Sequence, residues 1–492
     1  MNTKALRQKI LDLAIHGKLV PQNPKDESAT VLLEKIRTEK AEKIKQGELK
    51  ANKKDSFIFV GSDKRHYEQF ADGTVKDIED EIPFDVPEGW AWTKIHCVSS
   101  EILYGVSESA KEKGKYKLLR ITDIQDDKVN WDSVPFTDFP EDKITNYILK
   151  NGDIVFARTG ATVGKSYLIE NLTVESIYAS YLIRIRTSLM LNPKYMKYYF
   201  GSLTYWNQIT DKSSGIGQPN VNGTSLANLY IPIPPYNEQE RILPVIEKAF
   251  RLINSLENNK SALQTAIKQA KSKILDLAIH GKLVPQDPND EPAVELLKRI
   301  ATSDNRPYKK FEDEVPFDLP DTWEWCNLDD IYNHTTGKAL KKSNSTGTLH
   351  KYITTSNLYW NSFDFTEVRS MYFTDEELEK CTIKKGDLIL CNGGDVGRTA
   401  IWNYDYDICY QNHVSRLRPK SVDINNYFYL YLLMLYKESG LLAGKGIGIT
   451  SLSASDLLTT TLPLPPLAEQ QRIVTKIEEL FAQLDSISEQ LA

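Results

Sequence analysis

A lysine and a serine stand behind closely spaced glycines in GATVGKS, residues 160–166. Those residue types in that order are what a phosphate-cradling loop uses. A nucleotide-binding loop needs four residues between its glycines, however, and three separate Gly160 from Gly164. A sister loop, GGDVGRT at 393–399, carries Arg398 in place of Lys165. The spacing points instead to a tight turn between strands. Glycine there lets the chain approach a polyanion closely, with Lys165 or Arg398 on a phosphate. No HExxH, no GxSxG and no His-rich metal spacing occurs, and the acidic residues form no cluster distinguishable from surface charge. Of the seven histidines, His16 and His280 sit at the same repeated helix end, where an imidazole caps the last carbonyls. The five cysteines (Cys97, Cys326, Cys381, Cys391, Cys409) are odd in number and contain no CxxC pair. That predicts a reducing, cytoplasmic setting with neither a disulfide frame nor a zinc site.

A second motif also fails on its chemistry. IPPY at 233–236 is similar to the Asn/Asp-Pro-Pro-Tyr/Phe motif of amino-group DNA methyltransferases. Its first position is Ile233, which cannot hold a target amine, and the other copy reads LPPL at 464–467. The prolines serve better to end a strand and aim a helix. What remains is recognition. KEKGKYK at 111–117 (Lys111, Lys115, Lys117) and KALKK at 338–342 (Lys338, Lys341, Lys342) are basic and lie in corresponding places. SSGIGQPNVN at 213–222 supplies Ser213, Ser214, Gly215, Gln218, Asn220 and Asn222. LLAGKGIGITS at 441–451 supplies Lys445, Gly446 and Thr450. Arg158, Thr159 and Asn392 head the two glycine loops. Asparagine and glutamine suit adenine edges, and arginine or lysine suits guanine. The alternative for each run is a solvated surface loop.

The elements that must position these residues are written twice. KILDLAIHGKLVPQ occurs at 9–22 and again at 273–286, and IPIPPYNEQERI at 231–242 matches LPLPPLAEQQRI at 462–473. PFDVPEGWAW at 83–92 matches PFDLPDTWEW at 316–325, and SSGIGQ matches GKGIGI at 444–449. Few, distant repeats mean a two-fold duplication and not a solenoid. Short β-branched and aromatic runs alternate with Gly/Asn turns inside each block, which reads as mixed α/β. After each Pro-Pro comes a helix with apolar steps of 4 and 3: Ile242, Ile246, Ile253, Leu256, Leu263, Ile267, Ile274, Leu277 in the centre, and Ile473, Ile477, Leu480, Leu484, Ile487 at the end. Leu6, Ile10 and Leu13 continue the pattern at the start. Such alternation is a coiled-coil seam.

Aligned on the central helix, Ala492 falls at position 261 (492 − 231) and Met1 at 265 (1 + 264). Only three positions are missing, so the chain reads as a cyclic repeat whose ends should meet. The predicted order is a conserved helix over 1–30, a charged insertion over 31–81 (a solvated helix and loop held by local ion pairs, or a basic arm that touches nucleic acid or a partner), a variable block over 82–235, the central coiled-coil helix over 236–285, a linker over 286–314, a second variable block over 315–466 and a closing helix over 467–492.

Composition narrows the partners. The chain has 492 residues, 41% of them hydrophobic, and a net charge of −6. It can hold several cores. It has no run long enough to span a membrane. The acidic balance argues against a protein that coats DNA indiscriminately, and basic patches must be local.

The ordered set PEGWAW, GDIVFAR, SSGIGQ, IPIPPYNEQERI and ILDLAIHGKLVPQ, most of it present twice, resembles the specificity subunits of type I restriction–modification systems. The resemblance implies two α/β target-recognition domains separated by a long antiparallel coiled coil, each domain reading one half of a split site in double-stranded DNA. It implies that two methyltransferase subunits dock on the frame to modify adenine, and that restriction/translocase subunits join them. On this view the chain is not itself an enzyme and binds no cofactor. S-adenosylmethionine, ATP and Mg belong to the partners. A coiled-coil scaffold or adaptor without sequence-specific DNA contact is the rival from another class.

Overall fold

A computed structural model describes residues 2–49, 55–212, 221–340, 346–442 and 451–491. The chain divides into two compact units, Met1–Asn259 and Lys260–Ala492. In the first, a four-stranded antiparallel sheet runs in the order Ser166–Leu168, Ile154–Ala157, Leu182–Thr187, Ser99–Tyr104. In the second, the corresponding sheet has the order Thr399–Ile401, Leu388–Cys391, Val414–Pro419, Tyr332–Thr336. The central strands IVFA and LILC are buried at every position, which is why they read as continuous apolar runs and not as alternating ones. Each half of the Pro-Pro motif is a strand in a two-stranded ribbon: Tyr230–Ile233 pairs with Ala91–Lys94, and Thr461–Leu464 with Glu324–Asn327. A two-stranded ribbon has only edge strands, so the prolines leave no interior ladder bond unmade.

The central helix, Tyr236–Ile279, contains 44 residues. At ~1.5 Å per residue it is ~66 Å long. Its first half belongs to the first unit and its second half to the other. It begins at Tyr236, directly after the two prolines, and Glu240 in its second turn accepts from Asn192 Nδ2. At its end Gly281 takes φ +63° and Lys282 N donates to Leu277 O at 2.8 Å. The N-terminal helix, Thr3–Ile15, ends identically, with Gly17 at φ +65° and Lys18 N on Leu13 O at 2.7 Å. Both ends are left-handed caps that only glycine adopts without strain.

Each unit pairs one short helix antiparallel with its half of the central helix. In the first unit Arg7 donates to Glu257 at 2.6 Å and lies over the Phe250 ring, while Gln22 reaches back to Glu238. In the second, Lys271 donates to Asp485 at 2.5 Å and lies over Phe481, while Gln286 reaches Glu469 on the C-terminal helix, Leu467–Gln490. The ring and glutamine contacts are the same ones, shifted by the two repeat offsets, and Asp485 stands where Asn254, a second acceptor of Arg7, stands in the first unit.

The seam expected from the sequence is only partly closed. Ile242, Ile246, Ile253, Ile267, Ile473 and Ile477 are buried, and Ile10, Leu13, Ile274, Leu277, Leu480 and Leu484 are partly so. Leu6, Leu256, Leu263 and Ile487 are exposed, at 39%, 47%, 40% and 42%. Facing Arg7 and Lys271 against phenylalanine rings gives a polar crossing where knobs in holes were expected. The N-terminal helix instead buries Leu11, Ala14 and Ile15 in the core of its own unit. Met1 and Ala492 lie outside the described residues, so the meeting of the ends stays an expectation.

The charged insertion also differs from its sequence reading. A helix over Ala29–Lys45 starts before residue 31 and buries Ala29, Leu32 and Ile36, with ion pairs such as Lys43–Glu39 on its outer side. Its counterpart, Ala293–Ser303, occupies the supposed linker and buries Leu296, Leu297 and Ile300. The addition unique to the first unit is a small sheet, Ser56–Val60, His66–Phe70, Val75–Asp77.

Candidate nucleic-acid interface

The candidate residues hang on a junction built identically in both units. Trp90 Nε1 donates to Glu238 at 3.0 Å and Trp323 Nε1 to Glu469 at 2.8 Å. Arg241 pairs with Asp26 at 2.7 Å and Arg472 with Asp290 at 2.6 Å. His16 stacks on Phe84 and His280 on Phe317, and each imidazole Nδ1 lies 2.7 Å from a carbonyl one turn back, that of Asp12 or Asp276. Both glutamates are wholly buried, and burial pushes their carboxyls above the ordinary value against the pull of the tryptophan and glutamine donors. Behind the glycine loops, Arg186 grips Asp153 and Arg418 grips Asp387, each by two bonds of 2.7 Å. Bidentate pairs of this kind lock the strand that feeds each loop.

GATVGKS is a turn between the antiparallel strands Ile154–Ala157 and Ser166–Leu168, with Gly160 at φ +80° at an open tip. Arg158 and Thr159 are half-buried on its rising limb and Lys165 is exposed on the other. Arg158 lies 4.9 Å over the Tyr104 ring. In the second unit Asn392 occupies the position of Arg158, and its amide already donates to Asn412 O and Ser415 Oγ. Arg398 donates to Thr355 O at 2.7 Å, pairs with Asp395 at 3.3 Å and lies over Tyr359.

Two candidate lysines point the wrong way. Lys117 is 8% exposed, and its ammonium donates to Val134 O at 2.7 Å beside the Phe136 ring. Lys338 is also 8% exposed, held by Tyr372 O at 2.7 Å and by Glu377 at 2.5 Å. A cation desolvated and satisfied this way is a structural tie, unavailable to a phosphate. Lys111 and Lys115 are exposed but carry partners, Asp138 and Glu141, whose carboxyls they hold below the usual range. Asn222 is exposed, yet its Oδ1 caps the helix Gly223–Ala227 by accepting from Ser225 N at 2.8 Å. Ser213, Ser214, Gly215, Gln218, Asn220, Lys341, Lys342, Lys445, Gly446 and Thr450 lie outside the described residues.

The sequence reading missed Tyr104 and Tyr181, which flank Arg158 and are exposed by 38% and 62%. Nothing local marks them, since Tyr104 ends the strand Ser99–Tyr104 and Tyr181 lies in the turn before Leu182–Thr187, both far from Arg158 in the chain. Among the described residues no group of His, Cys, Asp and Glu could hold a metal ion, and no helix is long and apolar enough to cross a membrane.

This architecture has known relatives. Over 97% of its length the chain is 27% identical to the type I restriction enzyme EcoAI specificity subunit of Escherichia coli, covering 89% of that protein. It is 22% identical over 82% of its length to the EcoKI specificity subunit of Escherichia coli strain K12, covering 85% of it. A solved chain from work on complex assembly and conformational transition of the type I R-M system shares the fold, with a TM-score of 0.57 at 20% identity over 83% of this chain and 94% of the other. The family model for the type I restriction modification DNA specificity domain matches residues 105–265 and 320–492, once in each unit. Duplicated junction, paired sheets and both matches lead to one conclusion: the chain belongs to the type I restriction–modification DNA specificity family.

Proposed function

We propose that this chain selects the DNA target of a multisubunit type I methyltransferase and endonuclease, and that it does so without catalysing a reaction. Each unit reads one half of an asymmetric bipartite site in double-stranded DNA. The single observation that carries this reading is the contrast between frame and loops. The junction residues are the same in both units, while the glycine-loop positions differ: Arg158 against Asn392, Lys165 against Arg398. A common frame presents each loop in the same pose, and unlike loops then read unlike half-sites. Two methyltransferase subunits dock on the helical frame and methylate adenine in each half, and restriction/translocase subunits complete the complex. S-adenosylmethionine, ATP and Mg2+ act on those partners, in the cytoplasm.

Sequencing methylated adenines in a host with and without the gene tests the proposal. A split, asymmetric motif that disappears with the gene is the expected result. A continuous or perfectly palindromic motif refutes it. Failure of the assembled complex to protect any DNA, with partner binding intact, favours the scaffold reading.

A further inference from the structure

The first recognition block, residues 82–235, contains four arginines. Three are held by carboxylates: Arg120 by Asp123 at 2.7 Å, Arg186 by Asp153, and the fully buried Arg184 by Glu101. Arg158 alone has no carboxylate and makes no side-chain hydrogen bond among the described residues. Its Nε is buried without a hydrogen-bond partner among the described residues, as are those of Arg184, Arg306, Arg398 and Arg416, but each of those places another guanidinium nitrogen on an acceptor and Arg158 does not. A half-buried guanidinium without an acceptor leaves strong donors unsatisfied, which proteins tolerate where a ligand completes the set.

Its setting is also prepared. The guanidinium lies over the Tyr104 ring, 4.9 Å from its centroid, and the Tyr104 hydroxyl accepts from Gly223 N at 2.7 Å, so the ring itself is fixed. The Arg158 backbone donates to Tyr181 O at 3.1 Å and accepts from Val221 N at 3.0 Å. Both contacts lie at the base of the open Gly160 turn. Stacking restricts the long side chain before binding, which lowers the ordering entropy that recognition must overcome. A planar fork of donors with no acceptor among the described residues matches a pair of acceptors in one plane. In duplex DNA that pattern belongs to guanine N7 and O6 in the major groove.

We infer that Arg158, stacked on Tyr104, is the residue that reads a guanine in the half-site of the first unit. The inference rests on the DNA-reading function proposed above and deepens it. The second unit has Asn392 in this position; its NH2 already donates to Asn412 O and Ser415 Oγ, and the unpartnered Oδ1 is an acceptor that cannot donate to guanine N7 or O6, so no matching guanine contact arises there.

The test uses the full chain assembled with its methyltransferase subunits. Bound sequences are selected from a randomised duplex library and sequenced, and the first half-site is identified as the one that changes when residues 82–235 are exchanged. Arg158→Ala should relax one G·C position of that half-site by roughly 5- to 150-fold. The second half-site should stay intact, which also reports that the variant is folded and assembled. Arg158→Lys keeps the charge but not the fork, and should fail to restore discrimination. A first half-site without a G·C pair overturns the inference. So does unchanged discrimination in either variant, or weakening uniform over all sequences that Arg158→Lys rescues, which marks a phosphate contact. If the wild-type complex selects no bipartite motif at all, the DNA-reading proposal has failed, not merely this assignment.

Discussion

Trp90→Phe keeps an aromatic ring against the core, deletes one N–H, and adds a pH-independent packing loss because phenyl is smaller than indole. That N–H is 3.0 Å from Glu238 Oε2, inside a site where the glutamate is 1% exposed. The remaining side-chain donor is Gln22 Nε2, at 3.1 Å from Oε1. A hydrogen bond to a charged group contributes about 1.5–3 kcal/mol, so the variant should lose that much at neutral pH on top of the packing loss. The loss should depend on pH with a definite sign. Burial raises the Glu238 carboxyl, and the tryptophan and glutamine donors oppose the rise. A carboxyl whose folded value lies above its unfolded one lends stability that is complete below the unfolded value and fades as pH climbs through the folded value. Removing a donor lifts the folded value further. The penalty of Trp90→Phe should therefore be smallest in acid, near pH 4, and grow toward pH 8. Urea unfolding of wild type and variant across that range measures it, and taking differences cancels every other titrating group. Glu238→Gln should abolish the pH dependence of the Trp90→Phe penalty. Trp323→Phe should behave alike through Glu469, at 2.8 Å. A penalty that is absent, or equal at every pH, would refute the account of the junction as a buried carboxylate held by its donors.

Three further outcomes follow from the same geometry. Ile253→Ala, at 2% exposure, should cost about 2–5 kcal/mol in chemical denaturation, whereas Leu256→Ala, at 47%, should cost far less; equal losses would mean that the seam closes in solution. Burial alone would lower the His96 imidazole, but Asp55 and Cys97 raise it to about 9, so its stabilisation is complete below about pH 6.5 and disappears as pH rises through about 9. Asp55→Asn should remove most of that alkaline loss, and a urea midpoint profile from pH 6 to 10 that matches wild type would contradict this. Four residues inserted between Asn259 and Lys260 lengthen the central helix by ~6 Å and should widen the unspecified gap of the target by one or two base pairs at ~3.4 Å each; methylome sequencing that shows an unchanged gap in an active complex would dissociate helix length from site spacing.

The sequence alone determined the duplication, and with it the architecture. Repeated words such as KILDLAIHGKLVPQ encode the same local structure wherever they occur, since helix caps, Pro-Pro strand ends and buried apolar strands depend on residues close in the chain. So the glycine-capped helix ends, the turn at 160–166 and the mixed α/β blocks could be read before any coordinates. Side-chain fate could not. Lys117 and Lys338 look like solvated basic loops, and become interior ties because Val134 and Glu377, 17 and 39 residues away, come to meet them. The 4–3 pattern announces a seam, yet periodicity states only that one face is apolar. Whether that face is covered depends on where the partner helix lies, and tertiary packing left Leu256 and Ile487 in solvent. The charged run read as a solvated helix, but the buried face of Ala29–Lys45 stayed hidden because Ala29, Leu32 and Ile36 are outnumbered by the lysines and glutamates on its outer side. Arg158 gained its meaning last. Sheet pairing gave Arg184 and Arg186 their carboxylates, Arg120 took its own from the next turn, and Arg158 was left over a tyrosine that no local pattern connects to it.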